Sequence, residues 1–231
     1  MELKKKRILL IGKLVAIVAV LLFFPKIIDL IQSSSFNSSM SSKYIQVELK
    51  EGEMTEFAIT PIPEGETREF KLPKSIVDME MSMSKSPDDY LNELKETNEI
   101  NNKKYFEDAS LNNDGTLTLR LTQAQLEYRL NEIEEELKKC HETEKIEIVI
   151  SENLHDITYY VEDDCSLNEW AFVSIKCVAT IQSLRVFADI NDDFTINATI
   201  IRKINGEVMY EFHGEKLRIS DSEWNEKLKD E

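Results

Sequence analysis

The sequence predicts an α+β fold, with an N-terminal transmembrane helix followed by an antiparallel sheet packed with about three helices. A basic cluster leads into an apolar N-terminal stretch, period-two runs are joined by short turn signals, and three capped segments space their apolar residues as helices do. With 42% hydrophobic residues among 231, and only 6 Gly, 5 Pro and 3 Cys, the composition is that of a folded globular chain. Collagen-like, wholly disordered and disulfide-stapled architectures are excluded on that ground. The net charge of -16, from 28 Lys+Arg against 44 Asp+Glu, argues against nucleic acid as a partner, because phosphate binding needs a basic surface.

Residues 1–32 differ in kind from the rest. They hold six basic residues (Lys4, Lys5, Lys6, Arg7, Lys13, Lys26) and two acids (Glu2, Asp29), which leaves 22 basic against 42 acidic residues beyond, a net charge of -20. The charge-free run 14–25 is only 12 residues, the length of a signal-peptide core, whereas a spanning helix needs about 20. If Lys13 snorkels to the inner interface and Lys26 to the outer one, the segment from Ile8 becomes long enough for an uncleaved anchor. Ser33 and Ser35 suit a signal peptidase but lie about ten residues past the apolar core. An anchor across the membrane through residues 8–31 is therefore expected, and secretion after cleavage is the alternative. The basic cluster precedes the span, which keeps the N-terminus cytoplasmic and places about 200 residues outside. Residues 33–42, with seven Ser among ten, read as a tether. Residues 43–231 form the extracytoplasmic domain.

Within that domain, residues 44–49 alternate as a strand, and 54–60 follow a Glu51-Gly52 turn as its hairpin partner. Pro61, Pro63, Gly65 and Pro73 then bracket irregular chain, so a sub-boundary is placed within 61–74. Residues 70–72 and 76–83 read as strands, the second alternating Val77, Met79, Met81 and Met83 on a face packed against a helix. Ser86-Pro87-Asp88-Asp89 opens a helix running to about residue 97. Asn113-Asp114-Gly115 is a turn before the strand 116–121, and Thr122 and Gln125 cap a helix with Leu126, Leu130, Ile133, Leu137 and Cys140 on one face. The pairs Glu134/Lys138 and Glu135/Lys139 belong to its wet side. A hairpin joins 146–150 to 157–161, turning around 152–156. Ser166 and Glu169 cap the central helix 170–187, apolar except for a stripe of Lys176, Thr180 and Ser183. Lys176 and Arg185 argue against a second membrane span. Residues 194–204 and 207–212 flank Asn205-Gly206 as the last hairpin.

Candidate chemistry is sparse. Asp189, Asn191 and Asp193 resemble the first half of a calcium loop, yet the sixth position is Phe194 where Gly is needed and the twelfth is Ile200 where a bidentate acid is needed. They are a weak metal candidate, and an acidic turn is the expected role. His141, His155 and His213 are too scattered for a zinc or nucleophile arrangement and read as exposed structural residues. A Cys165–Cys177 bridge is geometrically poor, because three helical turns separate the two, and Cys140 and Cys177 read as buried thiols. No glycine-rich phosphate loop or nucleophile elbow is present. No catalytic or cofactor-binding residue is expected.

Phe70-Lys71-Leu72-Pro73-Lys74-Ser75, the acidic helix start at Ser86, Asn113-Asp114-Gly115-Thr116-Leu117-Thr118-Leu119, the helix opening at Thr122, the Ile157 hairpin, the Trp170 helix and Asn205-Gly206-Glu207-Val208 occur in an order that resembles a group of uncharacterised extracytoplasmic proteins. These are membrane-anchored or lipoprotein-like surface proteins of low-GC Gram-positive bacteria, clostridia above all. The likeness covers residues 67–213 and implies location and fold, with no activity attached. Many of the group carry a lipid-attachment Cys, whereas no Cys precedes Cys140 here. The expected function is non-enzymatic binding of a protein, peptide or envelope polymer, or a structural role, at the cell envelope. An envelope-acting hydrolase using paired Asp/Glu is the alternative.

Overall fold

The computed structural model describes residues 44–81, 86–100, 103–190, 195–214 and 219–229. The expected anchor and tether lie outside these residues, as do Met83, Asn191 and Asp193. In chain order the elements are β1 (Tyr44–Lys50), β2 (Glu53–Ala58), β3 (Arg68–Leu72), α1 (Lys74–Met81), α2 (Pro87–Glu96), β4 (Glu99–Ile100), β5 (Lys103–Lys104), β6 (Asp108–Leu111) and β7 (Leu117–Leu121). They continue with α3 (Gln123–His141), β8 (Ile146–Ile150), β9 (Asp156–Val161), α4 (Leu167–Phe187), β10 (Asn197–Arg202), β11 (Val208–His213) and α5 (Asp221–Lys227). The fold is α+β, with five helices among the described residues where about three were expected. Two compact units divide the chain: Pro61–Leu126, and Ser42–Thr60 together with Glu127–Glu231. In sequence the first unit is an insertion between β2 and the body of α3.

The discontinuous unit is built on a six-stranded sheet in the order β11-β10-β9-β8-β1-β2. Its neighbours pair antiparallel except for β9 and β10, which run parallel from Asp156↔Asn197 to Val161↔Arg202. The expectation of an antiparallel sheet is thus corrected to a mixed one. The cause is α4, which carries the chain from the end of β9 back to the start of β10, as a parallel pair requires. One face buries Ile45, Val47 and Leu49 of β1, Ile146, Ile148 and Ile150 of β8, Ile157, Tyr159 and Val161 of β9, and Ile200 of β10. The alternate residues Glu147, Val149, Thr158, Tyr160, Thr199 and Ile201 are half-buried, so strand periodicity sorts the two faces.

The capping box that opens α4 is complete: Glu169 N–H donates to Ser166 Oγ at 3.2 Å, and Ser166 N–H donates to Glu169 Oε2 at 2.8 Å. Thr180 and Ser183 return their hydroxyls to the carbonyls of Lys176 and Ala179, four residues back, so these two members of the polar stripe are satisfied inside the helix. Although α4 is long and apolar enough to cross a membrane, 67% of its most apolar stretch is buried within the protein. It closes in a Schellman pattern, with Asp189 in the left-handed region at φ 57°, Ile190 N–H on Arg185 O at 2.9 Å and Asp189 N–H on Val186 O at 3.3 Å. A capping box of Ser220 and Glu223 opens α5, whose Trp224 is fully buried. Its ring lies 5.5 Å from that of Trp170 and, nearly parallel, 6.3 Å from that of Tyr210, while Trp170 meets Tyr159 edge-on at 5.9 Å. This aromatic ladder ties α4, α5 and the sheet together.

The inserted unit holds the antiparallel sheet β3-β7-β6, with Phe70↔Leu119 and Ala109↔Leu119 at its centre and all three residues buried. A strand is expected over residues 76–83, but Lys74–Met81 form the helix α1. Ile76 and Val77 are adjacent and both buried, which a half-buried strand cannot achieve and a helix can. Pro73 O accepts from the amides of both, and Lys74 Nζ bonds Asp78 Oδ1 four residues on at 2.7 Å. Downstream of α2, the short hairpin β4–β5 is closed by the buried Asn98, whose Oδ1 accepts from the amides of Tyr105 and Phe106 at 3.0 Å each. Its Nδ2 donates to Phe106 O at 2.9 Å.

Candidate functional site: an acidic edge strand and a buried dithiol

Two places in the discontinuous unit combine chemistry with position. The first is β2, the outer strand of the six-stranded sheet. Its register with β1 sets Met54, Glu56 and Ala58 beside Glu48, Gln46 and Tyr44 on one face. The opposite face of this pair carries the buried Ile45 and Val47 with the half-buried Phe57 and Thr55. Tyr44 is 53% exposed and Met54 55%, large apolar surfaces at an edge where water would ordinarily be met by polar groups. Around them stand Glu48, Glu51, Glu53 and Glu56, opposed by Lys50 alone on this hairpin. Lys50 is engaged with Glu53, and Glu48 Oε1 accepts from Gly52 N–H at 2.6 Å across the turn, where Gly52 adopts φ 77°. The hairpin thus offers a line of backbone groups along β2, two exposed apolar side chains, Tyr44 on β1 and Met54 on β2, and an excess of negative charge.

The second place is the layer where α3 meets α4. Glu136 of α3 holds Lys176 of α4 at 2.8 Å and Lys139 of its own helix at 2.8 Å. Lys139 therefore pairs with Glu136, three residues back, and not with Glu135 on the wet side as expected. Burial works to raise the Glu136 carboxyl, but hydrogen bonds from both lysines hold it below its ordinary value. The sign follows: this contact stabilises the fold above about pH 4.5 and is lost as acid titrates through the lowered folded value. One turn on from Glu136 lies Cys140, and directly after Lys176 lies Cys177. Both are buried, and their thiols share a hydrogen bond. That bond and the nearby Lys176 and Lys139 charges lower Cys140 despite its burial, whereas Cys177, bonded to Cys140 and fully enclosed, is held well above the usual thiol range. Burial pushes the phenol of Tyr159 on β9 up strongly, and the charge of the Cys177 sulfur adds to the shift.

All three cysteines are buried and unbridged. Cys165 is apart from the pair, with its thiol pushed up to about 11 by burial and by the Glu169 charge, and its carbonyl takes the Trp224 Nε1–H bond at 2.8 Å. Sequence reasoning placed Cys140 and Cys177 in the interior but did not bring them together. Glu136/Cys140 spacing on one helix and Lys176-Cys177 on the next becomes a signal only once the two helices are known to be neighbours.

The remaining candidates resolve differently. Asp189 terminates α4 through its backbone, and among the described residues no cluster of three potential metal ligands occurs. His213 is exposed as expected, but His141 and His155 are half-buried. His141 Nε2 donates to Glu48 O at 2.8 Å and so ties the end of α3 to β1. Arg185 Nη2 donates to His155 Nε2 at 3.3 Å, which leaves Nδ1–H to donate to Thr195 O at 3.2 Å. Of the carboxyls, Glu134 is raised by burial and by Glu135, on an exposed turn of α3 beside Lys138. Arg202 grips Asp163 through two parallel bonds of 2.7 and 3.0 Å and lowers its carboxyl, a structural fork at the ends of β9 and β10. In comparison with known proteins, no family model, no curated protein and no solved structure matches this chain.

Proposed function

We propose that the chain is a membrane-anchored extracytoplasmic binding protein, without catalytic activity, whose β2 edge captures a basic extended segment of another envelope protein. The observation that carries this reading is the acidic outer strand with its exposed Met54, beside the exposed Tyr44 of β1. Edge strands recruit added strands through backbone hydrogen bonds, with side-chain pockets setting preference. Charged residues on an edge ordinarily prevent such pairing. Here the charges are of one sign, so they repel a second copy of this hairpin and attract a strand rich in Lys or Arg. The Ser-rich tether leads directly into β1, which places the hairpin nearest the anchor along the chain. Support for the location comes from the basic cluster and apolar stretch of residues 1–32 and from the resemblance to anchored surface proteins.

Location is tested by intact mass in the native cell: a full-length chain is expected in the membrane fraction, and a species beginning near Phe36 in the medium would make the protein a secreted one. The edge is tested with full-length protein in non-ionic detergent and a fluorescent peptide of alternating Lys and Val. Binding is expected to weaken with salt and to fall by about tenfold or more in the double variant Glu51→Lys/Glu56→Lys, with no comparable loss in the equally charged control Glu64→Lys/Glu66→Lys. Equal losses in both variants, or no binding by the parent, would overturn the assignment to β2.

A further inference from the structure

We propose that Cys140 and Cys177 are an oxidisable dithiol that closes into a disulfide joining α3 to α4. The placement is set from both helices. The Glu136–Lys176 ion pair at 2.8 Å pins one turn of α3 against the middle of α4; Cys140 follows Glu136 by one turn and Cys177 follows Lys176 directly, both buried and close enough for each thiol to shift the other's proton affinity. Two further lines make the pair unequal, as a stepwise exchange requires. Cys140 sits one residue from the end of its helix, where a single turn can open without disturbing the sheet, and His141 is the latch that holds this turn to Glu48 O. Cys177 lies near the middle of α4 with no such route outward. Cys140 also carries the lowered proton affinity, so the sulfur nearer the helix end is the one more readily present as thiolate.

The oxidant is a low-molecular-weight disulfide. Cys140 thiolate attacks one of its sulfurs, breaking that S–S bond, and one small thiolate leaves. The Cys177 thiol gives its proton to the departing thiolate, and its sulfur attacks Cys140 sulfur in the mixed disulfide, forming the protein S–S bond and expelling the second small thiolate. Two protein thiols are oxidised, one small disulfide is reduced to two thiols, and protons balance. Cys165 does not compete, because it precedes α4 while Cys177 lies about 15 Å along its axis.

The test uses the full chain in detergent, kept native in excess cystine, then denatured and labelled with N-ethylmaleimide. One label in place of three is expected, with a mass 2 Da below the reduced chain before labelling. Cleavage after Lys and Arg is expected to give residues 140–145 linked to 177–185, with the label on the peptide 146–176 that holds Cys165. The thermal midpoint is expected to rise by about 5–10 °C and to return on adding dithiothreitol. In the variant Cys140→Ala, a small volume change in a buried site, two labels are expected. Three labels in the parent, a link that includes Cys165, or a bridge that forms only after denaturant is added would each overturn the proposal.

Discussion

Replacing Trp224 with alanine is expected to remove about 3–5 kcal/mol from the stability of the discontinuous unit, read as a lowered midpoint in equilibrium urea unfolding followed by Trp170 fluorescence. The size follows from how little else holds α5. Seven residues make fewer than two turns of helix, far below the length at which a helix is stable alone, so the Ser220–Glu223 capping box cannot keep it formed unaided. Its anchor is one fully buried indole between Trp170 and Tyr210. Truncation removes both ring contacts and leaves the Cys165 carbonyl without the Nε1–H donor now 2.8 Å away. Trp224→Phe separates the two effects. It retains ring packing, loses the donor, and should cost about 1–2 kcal/mol. A loss below about 1 kcal/mol in Trp224→Ala would show that the ladder contributes little.

Asn98→Ala is the counterpart in the inserted unit and should destabilise it by about 2–4 kcal/mol. Asn98 is a polar residue 7% exposed, and its amide serves three backbone groups at once: two N–H donors and one carbonyl. Alanine leaves the Phe106 N–H and carbonyl without these bonds, while the Tyr105 N–H keeps its 3.3 Å bond to the residue 98 carbonyl, and an unmade buried bond is more expensive than a made one is favourable. Asn98→Asp is not a rescue, because the second oxygen would face Phe106 O, which now accepts a bond. The effect is local, so it is measured by hydrogen exchange: the Tyr105 and Phe106 amides should exchange about 30-fold to 1,000-fold faster. Unchanged protection there would mean that the hairpin holds without Asn98.

What could be read from the sequence was local. The Ser166/Glu169 and Thr122/Gln125 boxes, the Asn205-Gly206 hairpin and the alternation through 146–161 each write their structure within a few residues, and each is observed where expected. Residues 76–83 failed because Val77, Met79 and Met81 happen to alternate, while the decisive fact, that Ile76 and Val77 are both inside, belongs to tertiary packing. The parallel pairing of β9 with β10 was hidden for the same reason: each strand carries its own pattern, but only the crossover by α4 fixes their relative direction. For α5 the signal was present and overlooked, since Ser220 is followed three residues later by Glu223 just before the apolar Trp224. Of the candidate site, the acidic hairpin was legible as a hairpin, and its position at the sheet edge was not. Strand order is a long-range property that period-two patterning does not encode.

The inserted unit also sets a timetable for synthesis. Lys50 pairs with Val149, so β1 must wait for a partner strand about a hundred residues behind it, at a rate of about 5–20 residues per second. For roughly 5–20 s the residues of β1 and β2 are therefore without their β8 neighbour, and a two-stranded hairpin alone is at best marginally stable. The whole of Pro61–Leu126 emerges during this interval with every strand of its own sheet already available. The middle of the chain can therefore close its own sheet before the strand that completes the outer hairpin's pairing has been made.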